Sequence, residues 1–283
     1  MTTSETPSGA PAPTGRAGRN LPAAIASAVV LLALIAGSLY FWKPAFVGLV
    51  TAAILLGVWE LKEAFAAKGI VLPFEPLVAG AVVMLVGGYI WGAPALVTAL
   101  AVTALGLMLW RLRGGVDGFV RDTTAGVFTA VYVPFLAGFV VLLLKPDDGP
   151  LRVLTFILVT IASDIGGYFV GVLAGKHPMA PVISPKKSWE GFAGSTVFCI
   201  GAGWATVVYL LDGEWWVGVF LGLVAVVMAT LGDLSESVIK RDLGIKDMSA
   251  IIPGHGGLMD RLDSLLATVA PTWLLLYYLV PVS

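Results

Sequence analysis

Apolar runs of bilayer length recur along almost the whole chain, and they limit its fold before any single residue is considered. A run of about 20 apolar residues is long enough to cross a hydrocarbon core as a helix. Such a core admits only helices or closed barrels, because backbone groups there find no water. The sequence predicts nine spans, at 22–42, 44–61, 75–92, 94–110, 123–144, 151–174, 190–211, 214–232 and 263–282. The third and fourth are joined only by a tight Trp91-Gly92-Ala93-Pro94 turn. Charged residues are 12% of the 283, against about 25% in soluble domains, and no polar segment is long enough to house a soluble domain. The expected class is therefore an all-α, polytopic integral membrane protein embedded in a lipid bilayer.

The net charge of −1 hides a strong asymmetry. With the N-terminus in the cytoplasm, all but three of the 17 Lys and Arg residues fall on the cytoplasmic side. The exceptions are Lys43, Lys145 and Arg152. The positive-inside rule then predicts N-in, C-out and puts the charged motifs in the cytoplasm. Residues 1–20, rich in Ser, Thr, Pro, Gly and Ala, read as a disordered cytoplasmic tail. Basic residues ahead of an apolar run also suit a signal peptide, but the run that follows exceeds a 7–15-residue h-region, so an uncleaved first span is expected. Residues 21–145 carry few intramembrane ionisable groups and read as a scaffold half, with Glu60 and Glu63 as interfacial acids near Lys62. Residues 146–283 read as a catalytic half. The single cysteine, Cys199, excludes an intramolecular disulfide or Cys-based zinc site. It reads as a packed hydrophobe. No repeat of solenoid period is present, and no nucleic-acid partner is expected.

The second half carries the chemistry. Asp164, in Ser163-Asp164-Ile165-Gly166-Gly167-Tyr168, lies inside an apolar helix, where a carboxylate costs roughly 2.5–3.5 kcal/mol. A hydrogen bond to a neighbouring helix would offset that, and so would a place in a polar site at the cytoplasmic end. A Pro-stiffened loop then leads to Ser184-Pro185-Lys186-Lys187-Ser188-Trp189-Glu190-Gly191. Two hydroxyls, two lysines and a helix N-terminus make an anion site there. The plainer alternative is a basic loop with Ser188 as N-cap and His177 as an interfacial side chain.

The densest charge lies at Asp233–Asp263. If the preceding helix continues through Arg241, then Asp233, Glu236 and Ser237 share one face, and Gly244 ends it. Pro253-Gly254-His255-Gly256-Gly257 cannot be ordinary helix; its glycines permit positive φ and close backbone approach to a ligand. Asp260 and Asp263 follow, one turn apart at the start of the last helix. Carboxylates suit Mg²⁺, which binds through one or two of them plus substrate phosphates. Composition and spacing thus reach membrane-embedded, metal-dependent phosphate chemistry, with a solvated loop as the bland alternative.

The run Ser237-x-x-Lys240-Arg241, Lys246-Asp247 and Pro253-Gly254-His255-Gly256-Gly257-x-x-Asp260-Arg261-x-Asp263 resembles the signature of phosphatidate cytidylyltransferases (CDP-diacylglycerol synthases). Ser184–Gly191 resembles their second motif, in which Thr is commoner where Ser188 stands. The resemblance implies transfer of CMP from CTP to phosphatidic acid, with release of pyrophosphate, by a homodimer in the bacterial cytoplasmic (inner) membrane. It implies Mg²⁺, alone or with a second cation. Asp233 and Asp260 are then first metal ligands, and Asp263 and Asp164 second. Lys186, Lys187, Lys240, Arg241, Lys246 and Arg261 share the triphosphate and the lipid phosphate. The GHGG turn (Gly254, His255, Gly256, Gly257) brings backbone amides to the phosphates, beside the hydroxyls of Ser184 and Ser188. A CTP-dependent lipid kinase would use similar groups. A CDP-alcohol phosphotransferase would need a D-G-x-x-A-R run, which is missing. A secondary transporter would place its charges near the midplane of two repeating halves, whereas here they gather at one face.

Overall fold

The computed structural model describes residues 33–249 and 256–282. The protein is an all-α polytopic membrane protein, and eight helices among the described residues are long and apolar enough to cross a membrane. They are α1 (Lys43–Ala66), α2 (Phe74–Trp91), α3 (Ala93–Arg111), α4 (Phe119–Leu144), α5 (Gly149–Ala174), α6 (Trp189–Leu210), α7 (Trp215–Leu243) and α8 (Met259–Leu279). Each coincides with one of the expected spans from the second onward. The first, 22–42, falls largely outside the described residues, and its last part, 33–41, is helical.

Two helices depart from simple spans in ways that matter for the site. Pro134 lacks the N–H that an α-helical ladder needs, and α4 widens into a π-helical turn at Val131–Phe135. Helix α7 runs past its expected end at 232 to Leu243, and Gly244, with φ +72°, stops it in the left-handed region. The extra turns lift Asp233, Glu236 and Lys240 out of the apolar stretch.

Helices α5 to α8 pack in chain order, α2 pairs with α3, and α8 also packs on α4, which joins the two halves of the chain. Small residues let the backbones of α5 and α6 touch. A Cβ on Gly166 would lie 2.7 Å from the Gly194 carbonyl oxygen, a contact only glycine allows. This close crossing brings the Asp164 turn beside the start of α6.

The cations that sequence analysis sets apart gather at one end of the bundle. Lys43 donates to the Pro146 carbonyl, and Lys145 Nζ to the Ile90 carbonyl at 3.1 Å. Arg152, 2% exposed, pairs with Asp148 at 2.8 Å and donates to the carbonyls of Leu276, Val280 and Pro281. Ile90 and Leu276 lie in the last turns of α2 and α8, so cations there satisfy orphan carbonyls and oppose the negative end of the helix dipole. The motif charges occupy the other end.

One element was not expected. The loop between α5 and α6 folds back as an antiparallel pair, β1 (Pro178–Ala180) with β2 (Ser184–Ser188), in the register Pro178 to Ser188 and Ala180 to Ser184.

Candidate functional site

The β1–β2 hairpin, the start of α6 and the C-terminal halves of α5 and α7 enclose a cavity of about 300 Å³. Its polar wall includes Asp164, Ser184, Lys186, Lys187, Ser188 and Asp233. Its apolar wall includes Tyr168, Met179 and Phe192. The hairpin is fixed over this space at both ends. At one, Lys176 N and His177 N donate to Glu190 Oε2 at 3.1 and 3.2 Å, and His177 Nδ1 lies 2.5 Å from Glu190 Oε1. At the other, Arg241 Nε donates to the Ile183 carbonyl at 3.2 Å. Ser188 is the N-cap of α6, its Oγ accepting from Gly191 N at 3.1 Å. Held this way, β2 aims Lys187 across the cavity, with Nζ 2.5 Å from Asp233 Oδ2. Ser237 Oγ, one turn on, lies 3.5 Å from the other oxygen of Asp233.

A second cluster adjoins the first where α7 meets α8. Lys240 bridges Glu236 (Nζ to Oε2, 2.6 Å) and Asp260 (Nζ to Oδ1, 2.8 Å). The free oxygen of Asp260 accepts from Gly257 N at 2.8 Å and Met248 N at 3.1 Å. That geometry requires glycine at 257: a Cβ there would lie 2.9 Å from both Asp260 Oδ2 and Ser249 N. Asp263 is buried, with Oδ1 accepting from Ser264 N at 2.7 Å. It lies within electrostatic reach of Asp233, Asp164 and Lys240, so the two clusters share one field. Glu236 is 1% exposed and its Oε1 has no hydrogen-bond partner among the described residues. The Tyr132 hydroxyl, from the π-helical turn of α4, is likewise buried without a partner among the described residues and lies within electrostatic reach of Glu236, Asp263 and Asp233.

The structure therefore gathers most of the expected residues, in two groups. Asp164, Asp233, Ser184, Lys186, Lys187 and Ser188 line the cavity. Lys240, Asp260, Asp263, Gly256 and Gly257 form the adjoining cluster, with Gly256 at φ +84°. Arg241 braces the hairpin. Lys246 and Arg261 are exposed and lie outside the cavity wall, although Arg261 is within electrostatic reach of Asp164. Gly254 and His255 lie outside the described residues.

Among the described residues, no three His, Cys, Asp or Glu side chains converge to hold a metal by themselves. The donor set is carboxylate oxygen, which suits a hard cation, and Mg²⁺ is bound with one or two carboxylates when phosphates and water complete its shell. The residues present fit that mode and do not fit an all-protein cage.

One residue was misread from sequence. Glu60 is not an interfacial acid near Lys62; it is fully buried, and Lys62 pairs with Glu63 at 3.0 Å. Its Oε1 accepts from Leu258 N at 2.8 Å and from Ser249 Oγ, and its Oε2 accepts from Met259 N at 2.8 Å. The rule that singled out Asp164, a carboxylate within an apolar run, applied equally to Glu60. Its neighbour Lys62 made a local pairing look sufficient.

The sequence model of the cytidylyltransferase family matches residues 22–279. The chain is 41% identical to the phosphatidate cytidylyltransferase of Mycobacterium leprae, over 93% of this chain and 89% of that protein. It is 40% identical to the phosphatidate cytidylyltransferase of Mycobacterium tuberculosis H37Rv, over 93% and 84%. It is 33% identical to the phosphatidate cytidylyltransferase of Pseudomonas aeruginosa, over 87% and 93%.

Proposed function

The chain belongs to the cytidylyltransferase family, and from that premise we propose that it is a nucleotidyltransferase that moves CMP from CTP to phosphatidic acid, giving CDP-diacylglycerol and pyrophosphate. The observation that carries this is the make-up of the cavity. Its inner wall presents lysines, hydroxyls and carboxylates, while Tyr168 on its apolar wall continues into exposed Phe169, Val172 and Leu173 along the outer face of α5. A ligand that is phosphate at one end and hydrocarbon at the other fits that gradient.

The transfer is an in-line displacement. A phosphate oxygen of phosphatidic acid bonds to the α-phosphorus of CTP, and the bond from that phosphorus to the bridging oxygen breaks with pyrophosphate. A phosphate is already a nucleophile near pH 7, so accumulated negative charge dominates the barrier and fixed cations lower it. Lys186 and Lys187 hold phosphates at the hairpin, and Lys240 holds them at the α7–α8 junction. Gly256, at φ +84°, lets the turn approach them closely, while the Gly257 amide orients Asp260 by donating to its Oδ2. Asp233 and Asp260, supported by Asp263 and Asp164, would hold Mg²⁺, which would supply Lewis-acid neutralisation of phosphate charge.

The same reading makes the protein a homodimer in the bacterial cytoplasmic membrane, with the site facing the cytoplasm. The sequence pattern, which predicts all Lys and Arg but Lys43, Lys145 and Arg152 on one side, supports the orientation, and the family resemblance supports the dimer. Incubating the purified protein with CTP, phosphatidic acid and Mg²⁺ tests the chemistry. Pyrophosphate and a CDP-lipid are expected; CDP with a newly phosphorylated lipid would instead identify a CTP-dependent kinase.

A further inference from the structure

We propose that Glu60, on α1 in the N-terminal half, is a positioning residue for the transfer: it fixes the turn that carries Gly256, Gly257 and Asp260 by binding the first amides of α8. The role rests on the assignment of that turn to the phosphate site.

A carboxylate inside a span needs compensation. Glu60 is fully buried and takes it from three donors, Leu258 N, Met259 N and Ser249 Oγ, on both sides of the Gly-rich turn. The opening amides of a helix have no partner within it, and the positive end of its dipole favours an anion there. Glu60 is thus an N-terminal cap supplied by another helix. The side-chain packing agrees. Met259, fully buried, seats against Gly57, one turn before Glu60, where a Cβ would lie 2.9 Å from Met259 Sδ. Helix α1 therefore grips the first residue of α8 by main chain and by side chain. The next residue is Asp260, whose Oδ2 binds Gly257 N within the same turn. The anchor is firm, because Ile54, Val58 and Leu61 of α1 are buried to within 2%. Gly256, at φ +84°, and Gly257 have no side chain of their own to fix the turn. Its working geometry is imposed by α1.

The test is Glu60→Gln in the full-length protein in nanodiscs. The amide keeps the shape but offers one acceptor oxygen, and its NH₂ faces a donor, so at least one α8 amide loses its partner. Two measurements are made: amide hydrogen exchange without substrates, and steady-state kinetics with CTP and phosphatidic acid. Exchange over 256–266 should accelerate about tenfold or more, with the rest of the chain unchanged. The KM for CTP should rise about tenfold, because only a fraction of the turn is then competent to bind. The kcat at saturation should be little changed. Unaltered exchange overturns the proposal. So does faster exchange with an unchanged KM, which would make Glu60 a helix cap only. Should Glu60→Gln loosen the whole chain, Ser249→Ala decides, since it removes a single donor to Glu60. The same two shifts in smaller amount support the proposal, and their absence overturns it. A wild type inert toward CTP and phosphatidic acid would overturn the transfer reading, while the exchange result would still judge the hold of Glu60 on the turn.

Discussion

Replacing Lys240 by Met removes the ammonium that links α7 to α8, and the two carboxylates it leaves behind are not equal. Asp260 still accepts two amide hydrogen bonds, from Gly257 and Met248. Among the described residues Glu236 keeps nothing: its Oε2 loses its partner at 2.6 Å, its Oε1 already has none, and the residue is 1% exposed. The penalty therefore falls on one uncompensated buried charge. Breaking such a pair from one side costs about 3–5 kcal/mol. For a chain of this size that corresponds to a fall of about 6–20 °C in the melting temperature. Glu236→Gln in the same molecule should restore most of the loss, because it removes the charge that has no partner. Activity should not return with it, since Lys240 no longer faces the phosphates. The assay is thermal unfolding of the purified protein in one fixed detergent, with pyrophosphate release measured in parallel. Equal melting temperatures for wild type and Lys240→Met would refute the account. So would a double variant no more stable than the single one, because either result means that Glu236 finds compensation elsewhere.

Three further outcomes follow from the geometry. Lys187→Ala should raise the KM for CTP or lower kcat by roughly 10–150-fold, the worth of one charge-assisted phosphate contact; near-normal steady-state kinetics would leave the hairpin lysines with only a topological role. Asp164→Asn should raise the Mg²⁺ concentration needed for half-maximal activity, with part of the rate recovered at high Mg²⁺, and an unchanged Mg²⁺ titration with normal turnover would remove Asp164 from the site. Gly257→Ala should cut turnover by about 10²-fold, as displacement of a reacting group by an ångström does, because the new Cβ meets the backbone nitrogen of Ser249 at 2.9 Å; full activity would show that the turn is not held to this shape.

Much of the fold was legible because the signals are local. Spans of bilayer length announce themselves, and the continuation of α7 beyond 232, with Gly244 as its end, was one reading that the spacing allowed. The β-hairpin was not legible. Pro178, Pro181 and Pro185 break any strand pattern, and what pins the hairpin comes from outside it, through Glu190 and Arg241. The buried acids show the same division. Asp148 with Arg152 and Glu236 with Lys240 are i, i+4 pairs that a sequence displays. Asp122 instead draws on Arg111 and the amide of Val71, besides its neighbour Arg121. Glu60 draws on α8, and Asp260 on Lys240 of α7. In an apolar chain every carboxylate raises the question of what compensates it. When the answer lies within one helical turn, the acid ties a helix to itself. When the answer lies in a distant segment, the acid ties the bundle together at that point, and here the ties of Glu60 and Asp260 converge where α1, α7 and α8 meet around Gly257, while that of Asp122 holds α4 to α3. Two of the three acids whose partners cannot be read locally, Glu60 and Asp260, therefore set the geometry of the site.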